Sequence, residues 1–358
     1  MSPFRYLLYL SLGRQASLEK SLSGKDWEHL LSMARFQSLV GVLYEGILCL
    51  PKDRKPPEAV LSEWTRLAGL VAGLHSLQER RAEELGERLG TLGMDGYLLK
   101  GTGLSHLYPV PERRMGGDID VWIPEPRSKT LARLRNGGIP VDGILYQECK
   151  AAFFKDTIVE VHFHPTKMYN PFLNARLQRF LRKSIRTESF SETPDRHLMV
   201  PGAAFNAVFC MAHMLRHYLE GGIGLRQMLD YHYVLLALNP GARKGVMKEL
   251  SRLGMGPFAG AVMHLLQYSF GLEDGYLLCP PDEKRGEKLV RDCVRMGNFG
   301  KGDPRNRARQ EETRLGRFFR KNRRVFSNLR YYPREVVWSP FARIGQYCWR
   351  LFNGYLTP

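Results

Sequence analysis

Apolar positions change their spacing along the chain, and the changes divide it into helical and strand-bearing stretches. Asp26 is an N-cap residue by type, and Trp27, Leu30, Leu31 and Ala34 follow it at helical spacing, with Leu39, Leu43 and Ile47 beyond. Pro51 and the stretch 52–57 interrupt this pattern. A longer helix is predicted from about Glu58 to Leu92, charged over Gln78–Arg88. The pattern changes at Gly93. Gly96–Lys100 is a short apolar run bounded by glycines and reads as a buried strand, with a short helix expected from Gly101. Asp118–Ile123 alternates apolar with acidic or aromatic residues, which is strand periodicity. Pro124 and Pro126 close that strand, and Ser128–Asn136 predicts a helix stopped by Gly137 and Gly138. Tyr146–Phe154 and Thr157–His164 predict a hairpin turning at Lys155-Asp156. From Pro171 the spacing is again mostly helical, most clearly over Ala203–Leu219, Leu225–Leu238, Pro257–Phe270 and Asp282–Met296.

These elements predict an α+β protein. A helical region (1–94) precedes an α/β core (95–170), followed by a helical domain packing on it (171–300) and a C-terminal segment (301–358). A length of 358 residues fits about two domains, and 44% hydrophobic with 25% charged residues excludes a disordered or fibrous chain. The six cysteines are scattered singly without a CxxC pair, which excludes zinc-ribbon and thioredoxin-type sites and predicts a reduced, cytoplasmic setting. Arg14 ends the N-terminal apolar run before any cleavage site, so no secretory leader is expected. No stretch approaches the ~18–20 apolar residues that span a bilayer.

The charge alters this picture. The net charge is +17, and residues 301–358 carry 14 Lys/Arg against 4 Asp/Glu. Aromatics (among them Phe318, Phe319, Trp338 and Trp349) are interleaved with them. Such a segment reads either as a solvated basic helical face or as a surface for RNA or lipid.

The chemistry is concentrated in the α/β core. Asp118-Ile119-Asp120 places two carboxylates on one strand face, where they repel unless a cation lies between them. Glu160 interrupts the apolar strand Ile158–Phe163, so a third carboxylate on a neighbouring strand would complete a metal cluster. His162 and His164 share its face, and one of them could hydrogen-bond an acidic ligand from behind. Gly116-Gly117 allows close backbone approach to a ligand. Leu98–Gly103 runs from a strand through a Gly-rich turn into a helix, where free N–H groups and Lys100 would meet phosphate. It matches neither the dinucleotide fingerprint nor a P-loop. His213 and His217 are four apart on an apolar helix, but no Glu follows His213 as a zincin requires, so they read as core histidines. Arg226 and Asp230 read by default as a helix-surface ion pair. Three strand carboxylates and a phosphate turn together point to phosphoryl or nucleotidyl transfer.

In order, Lys100-Gly101, Arg113-Arg114-Met115-Gly116-Gly117-Asp118-Ile119-Asp120 and Glu160-Val161-His162 resemble the DNA polymerase β-like nucleotidyltransferase superfamily. More narrowly they resemble an uncharacterised bacterial nucleotidyltransferase family. Trp27–Gly46, His213-x-x-x-His217 and Leu225–Asp230 are similar to other parts of that family. The resemblance implies a polymerase-β-like core and an NTP-dependent enzyme that uses Mg²⁺ or Mn²⁺. Asp118 and Asp120 would be catalytic metal ligands, and Glu160 the third catalytic carboxylate, either a metal ligand or the general base for the acceptor hydroxyl. Lys100, Gly101 and Thr102 would hold the triphosphate, helped by Arg113 or Arg114 and by Gly117, and Arg226 and Asp230 would line the cleft. The implied partner is a hydroxyl acceptor, such as tRNA or another anionic polymer. The alternative is an inactive protein of the same fold that acts as an RNA-binding or adapter module.

Overall fold

The computed structural model describes residues 1–18, 21–190, 197–303 and 313–355. Four helices lead: α1 (Pro3–Ser11), α2 (Gly24–Gln37), α3 (Val40–Leu48) and the 34-residue α4 (Glu58–Thr91). Ser23 caps α2, while Asp26 closes a capping box by accepting from the Ser23 N–H at 2.8 Å. The expected cap at Asp26 is therefore displaced by three residues, since Ser23 offers a side-chain oxygen to the Asp26 N–H and receives the carboxylate in return.

The α/β elements follow as β1 (Gly96–Leu99), α5 (Lys100–Ser105), β2 (Ile119–Trp122), α6 (Arg127–Asn136), β3 (Val141–Asp142), β4 (Glu148–Ala151) and β5 (Val159–His162). Then come α7 (Pro171–Glu188), β6 (Ser189–Phe190), β7 (Leu198–Pro201), α8 (Ala203–Glu220), α9 (Leu225–Ala237), α10 (Pro240–Arg252), α11 (Gly256–Phe270) and α12 (Glu283–Met296). The last helices are α13 (Arg314–Phe326), α14 (Pro333–Val336) and α15 (Ser339–Phe352). The protein is α+β, and its mixed sheet has the order β3-β4-β5-β2-β1-β7-β6.

β4 and β5 pair antiparallel as the hairpin pattern predicts, over shorter spans than the apolar runs. β2 lies parallel to β5 and antiparallel to β1. β7 was not anticipated: it joins the sheet parallel to β1 from a stretch that reads as helical.

Alternation gives the sheet two chemically different faces. Ile119, Val121 and Ile123 around β2, with Val159 and Val161 of β5, pack against Leu85 and Leu89 of α4 and Leu131 and Leu134 of α6. Burying each such side chain stabilises the fold by about 1.5–3 kcal/mol. The intervening positions face the helical half. There Trp122 stacks on Phe205 of α8, ring centroids 5.9 Å apart, and joins a core built from α1–α3, α8, α9 and α11. Asp120 shares the Trp122 face, so the carboxylate faces a seam between sheet and helices.

Candidate active site

The backbone register brings the acids together before any side chain is considered. Asp120 pairs with Glu160 across β2 and β5, Trp122 with His162, and Glu148 of β4 with His162. Asp120, Glu160 and His162 each offer one ligand atom, and these lie within 4.8 Å of one another. Of His162 and His164, it is His162 that meets an acid, with its Nε2 2.8 Å from Asp120 Oδ1. Its Nδ1 is 3.5 Å from Glu148 Oε2. Asp118 stands apart from this group. It lines the same cleft from the residue before β2.

Lys100 supplies the local cation. Its Nζ is 2.9 Å from Asp120 Oδ1. Burial opposes the charged form of Asp120, but Lys100 and His162 outweigh it and hold the carboxyl down to about 2. Glu160 behaves oppositely: burial first, then Asp120, Asp118 and Glu148, push it up to about 6. Burial and Asp120 also raise Asp118. Asp120 thus takes the direct contact with the ammonium, while Asp118 and Glu160 act on it through space. Asp120, Glu160 and His162 form a group that could hold a metal ion.

The turn after β1 differs from the expected helix N-terminus. Lys100 and Gly101 both have positive φ, +39° and +41°, and α5 is six residues with a kink at Gly101. A lysine in this region carries backbone strain of order 1–3 kcal/mol, and here it delivers the ammonium to Asp120. Gly101 and Gly117 line the cleft as expected. Thr102 does not line it, although its buried Oγ1 has no hydrogen-bond partner.

Arg113 and Arg114 both engage carboxylates of the helical half, and Arg114 also lines the cleft. Arg113 donates from Nε to Glu45 Oε1 of α3 at 2.6 Å. Arg114 is buried and grips Asp230 of α9 through Nε and Nη2 at 2.7 and 2.9 Å, and Tyr108 donates to the same carboxylate at 2.7 Å. Asp230 is held below the usual carboxylate range despite its burial, chiefly by Arg114. It pairs across the fold, and the i, i+4 pairing with Arg226 is not formed. Arg226 instead donates from Nη1 to the Met115 carbonyl at 2.9 Å. Gln78 of α4 donates to the Gly117 carbonyl and leaves no room for a Cβ at Gly116. The loop leading into Asp118 is therefore tied down by Glu45, Gln78, Arg226 and Asp230, from three helices. Only Gly116-Gly117 and the Leu225–Asp230 block had signalled this in the sequence. Gln78, Glu45 and Tyr108 carried no signal.

An open cleft lies beside Asp118 and Asp120. Its floor is Lys100, Asp118 and Asp120, and its far wall is Phe209, His213, Arg226 and Phe299. The His213 and His217 rings meet at a tilt of 56°, centroids 4.3 Å apart. Burial pushes both below their ordinary range, His217 to about 3, so both are neutral at pH 7. Among the described residues they belong to no group of three or more potential metal ligands. Phe299, backbone φ +53°, closes the wall with its ring 5.5 Å from the Arg226 guanidinium.

A family model described as an uncharacterised nucleotidyltransferase matches residues 23–271, more than two thirds of the chain. The chain belongs to that family. No curated protein matches it.

Proposed function

We propose that the protein is a metal-dependent enzyme that moves an NMP from an NTP to a hydroxyl acceptor and releases pyrophosphate. The observation that carries this reading is the convergence of Asp120, Glu160 and His162, next to a cleft that Lys100, Asp118 and Asp120 line. In this reading Asp118, Asp120 and Glu160 hold Mg²⁺ or Mn²⁺, with His162 bonded to the Asp120 carboxylate. A bound divalent ion would supply charge neutralisation to the triphosphate and the leaving pyrophosphate.

The chain's own side chains divide the remaining work. Lys100 offsets phosphate charge at the floor of the cleft, and Arg226 does so from the wall, its buried Nε having no protein partner. Gly101 and Gly117 let the triphosphate approach the backbone closely. Glu160, with its carboxyl pushed up to about 6, is basic enough to take the proton from the acceptor hydroxyl near neutral pH. Arg114 acts as a positioning residue, fixing the loop that presents Asp118. Arg113, spent on Glu45, is assigned no contact with phosphate.

The test is transfer of label from each of the four NTPs, with Mg²⁺ or Mn²⁺, by wild type and by Asp120→Asn. Metal-dependent labelling or pyrophosphate release by wild type, lost in the variant, is the expected result. Failure of wild type to bind any NTP or Mn²⁺ would overturn the enzymatic reading and leave the non-catalytic adapter.

A further inference from the structure

Helix α15 is amphipathic with its polarity reversed. At 100° per residue, Arg343, Gln346 and Trp349 fall on one side and Phe341, Ile344, Leu351 and Phe352 on the other. The polar side faces the protein. Arg343 donates to the Tyr169 hydroxyl at 3.0 Å, and Gln346 accepts from Lys167 at 3.0 Å. Trp349 packs inward too, its ring 5.7 Å from that of Tyr146. The apolar side faces out: Phe341 is 67% exposed, Ile344 50%, Leu351 54% and Phe352 85%. The patch continues through Trp338 to Phe172, and α13 adds exposed Leu315 and Phe319. An outward apolar helix face of this kind marks an interaction surface.

The charge around it selects the partner. Residues 313–355 hold ten Lys/Arg and one acidic residue, Glu335, which is buried. Arg317, Lys321, Arg323, Arg330 and Arg334 are exposed on and beside α13. A second copy would bring the same positive charge to the interface. Nucleic acid would match the charge and could stack on the aromatics, but it offers nothing to Ile344, Leu351 and Leu315. An anionic bilayer satisfies both, because its headgroups meet the arginines while its acyl boundary takes aliphatic and aromatic side chains alike. No helix among the described residues is long and apolar enough to cross a membrane, so the contact lies in the plane of the surface. We propose that α13 and α15 form an interfacial platform that docks the protein on an anionic lipid surface, independently of the chemistry in the cleft. The platform also lies beyond residues 23–271, the span shared with the family.

The experiment is flotation of the full-length protein with phosphatidylcholine vesicles, with and without phosphatidylglycerol, at low and high salt. Binding to the anionic vesicles that weakens with salt is expected, together with a blue shift of tryptophan emission. The triple variant Phe341→Glu/Ile344→Glu/Phe352→Glu should weaken binding by about tenfold or more, with its thermal midpoint and Mn²⁺ binding unchanged. Equal binding to neutral vesicles, or none to either, overturns the proposal. So does a wild-type dimer that the triple variant dissociates without any vesicle binding, or RNA retention without vesicle binding.

Discussion

The two faces of β2 share one backbone and do opposite things. Ile119, Val121 and Ile123 face a dry layer against α4 and α6, while Asp118 and Asp120 face the cleft, two residues apart, with Trp122 beyond them in the helical core. The strand's period of two therefore lets six residues hold the fold and present the acids at once. The comparison predicts that substitutions on the apolar face cost stability and leave the chemistry intact, and that those on the acidic face do the reverse.

Arg114 is where that division should break most sharply. Arg114→Ala leaves Asp230 buried without its cation, and a loss of about 3–5 kcal/mol is expected by denaturant unfolding. A stability loss within experimental error would mean that the clamp is not the joint between sheet and helices. Next in size is Asp120→Asn. It should weaken Mn²⁺ binding, measured calorimetrically, by about 10²–10³-fold, which is roughly 3–4 kcal/mol, while the unfolding free energy changes far less. Val121→Ala is the counterpart on the dry face. It should cost about 1–2.5 kcal/mol in the same unfolding experiment and leave Mn²⁺ affinity as it was. The smallest effect is a titration. Protonated Glu160 does not bind a cation, and its carboxyl lies at about 6, so Mn²⁺ affinity should fall by about tenfold between pH 7 and pH 5 and stay flat above pH 7. Glu160→Gln should lose that dependence.

Local pattern revealed the elements whose causes are local. The alternation at 118–123 and 158–164 gave the strands and the acids, and helical spacing gave α8, α9, α11 and α12 close to their observed limits. β7 was hidden because a four-residue strand owes its existence to β1, about a hundred positions earlier in the chain. The direction of Arg113 and Arg114 was hidden for the same reason. Nothing beside Arg113 and Arg114 in the chain points to Glu45 and Asp230, which only the fold brings within reach. His162 was legible as a partner of an acid because it alternates with Glu160 on one strand. Its place within the cluster required the pairing of β5 with β2.

The four tethers on residues 113–117 come from segments both before and after the sheet. Until α9 has docked, Asp230 and Arg226 are missing, and the strand bearing Asp118 and Asp120 lacks its fixed approach. The approach of Asp118 to the candidate metal group is thus set by helices from both sides of the sheet in the chain. Ion binding by this protein should work as a proofreading signal for assembly: a chain truncated ahead of α9 would keep every proposed ligand in its sequence and still fail to hold the ion.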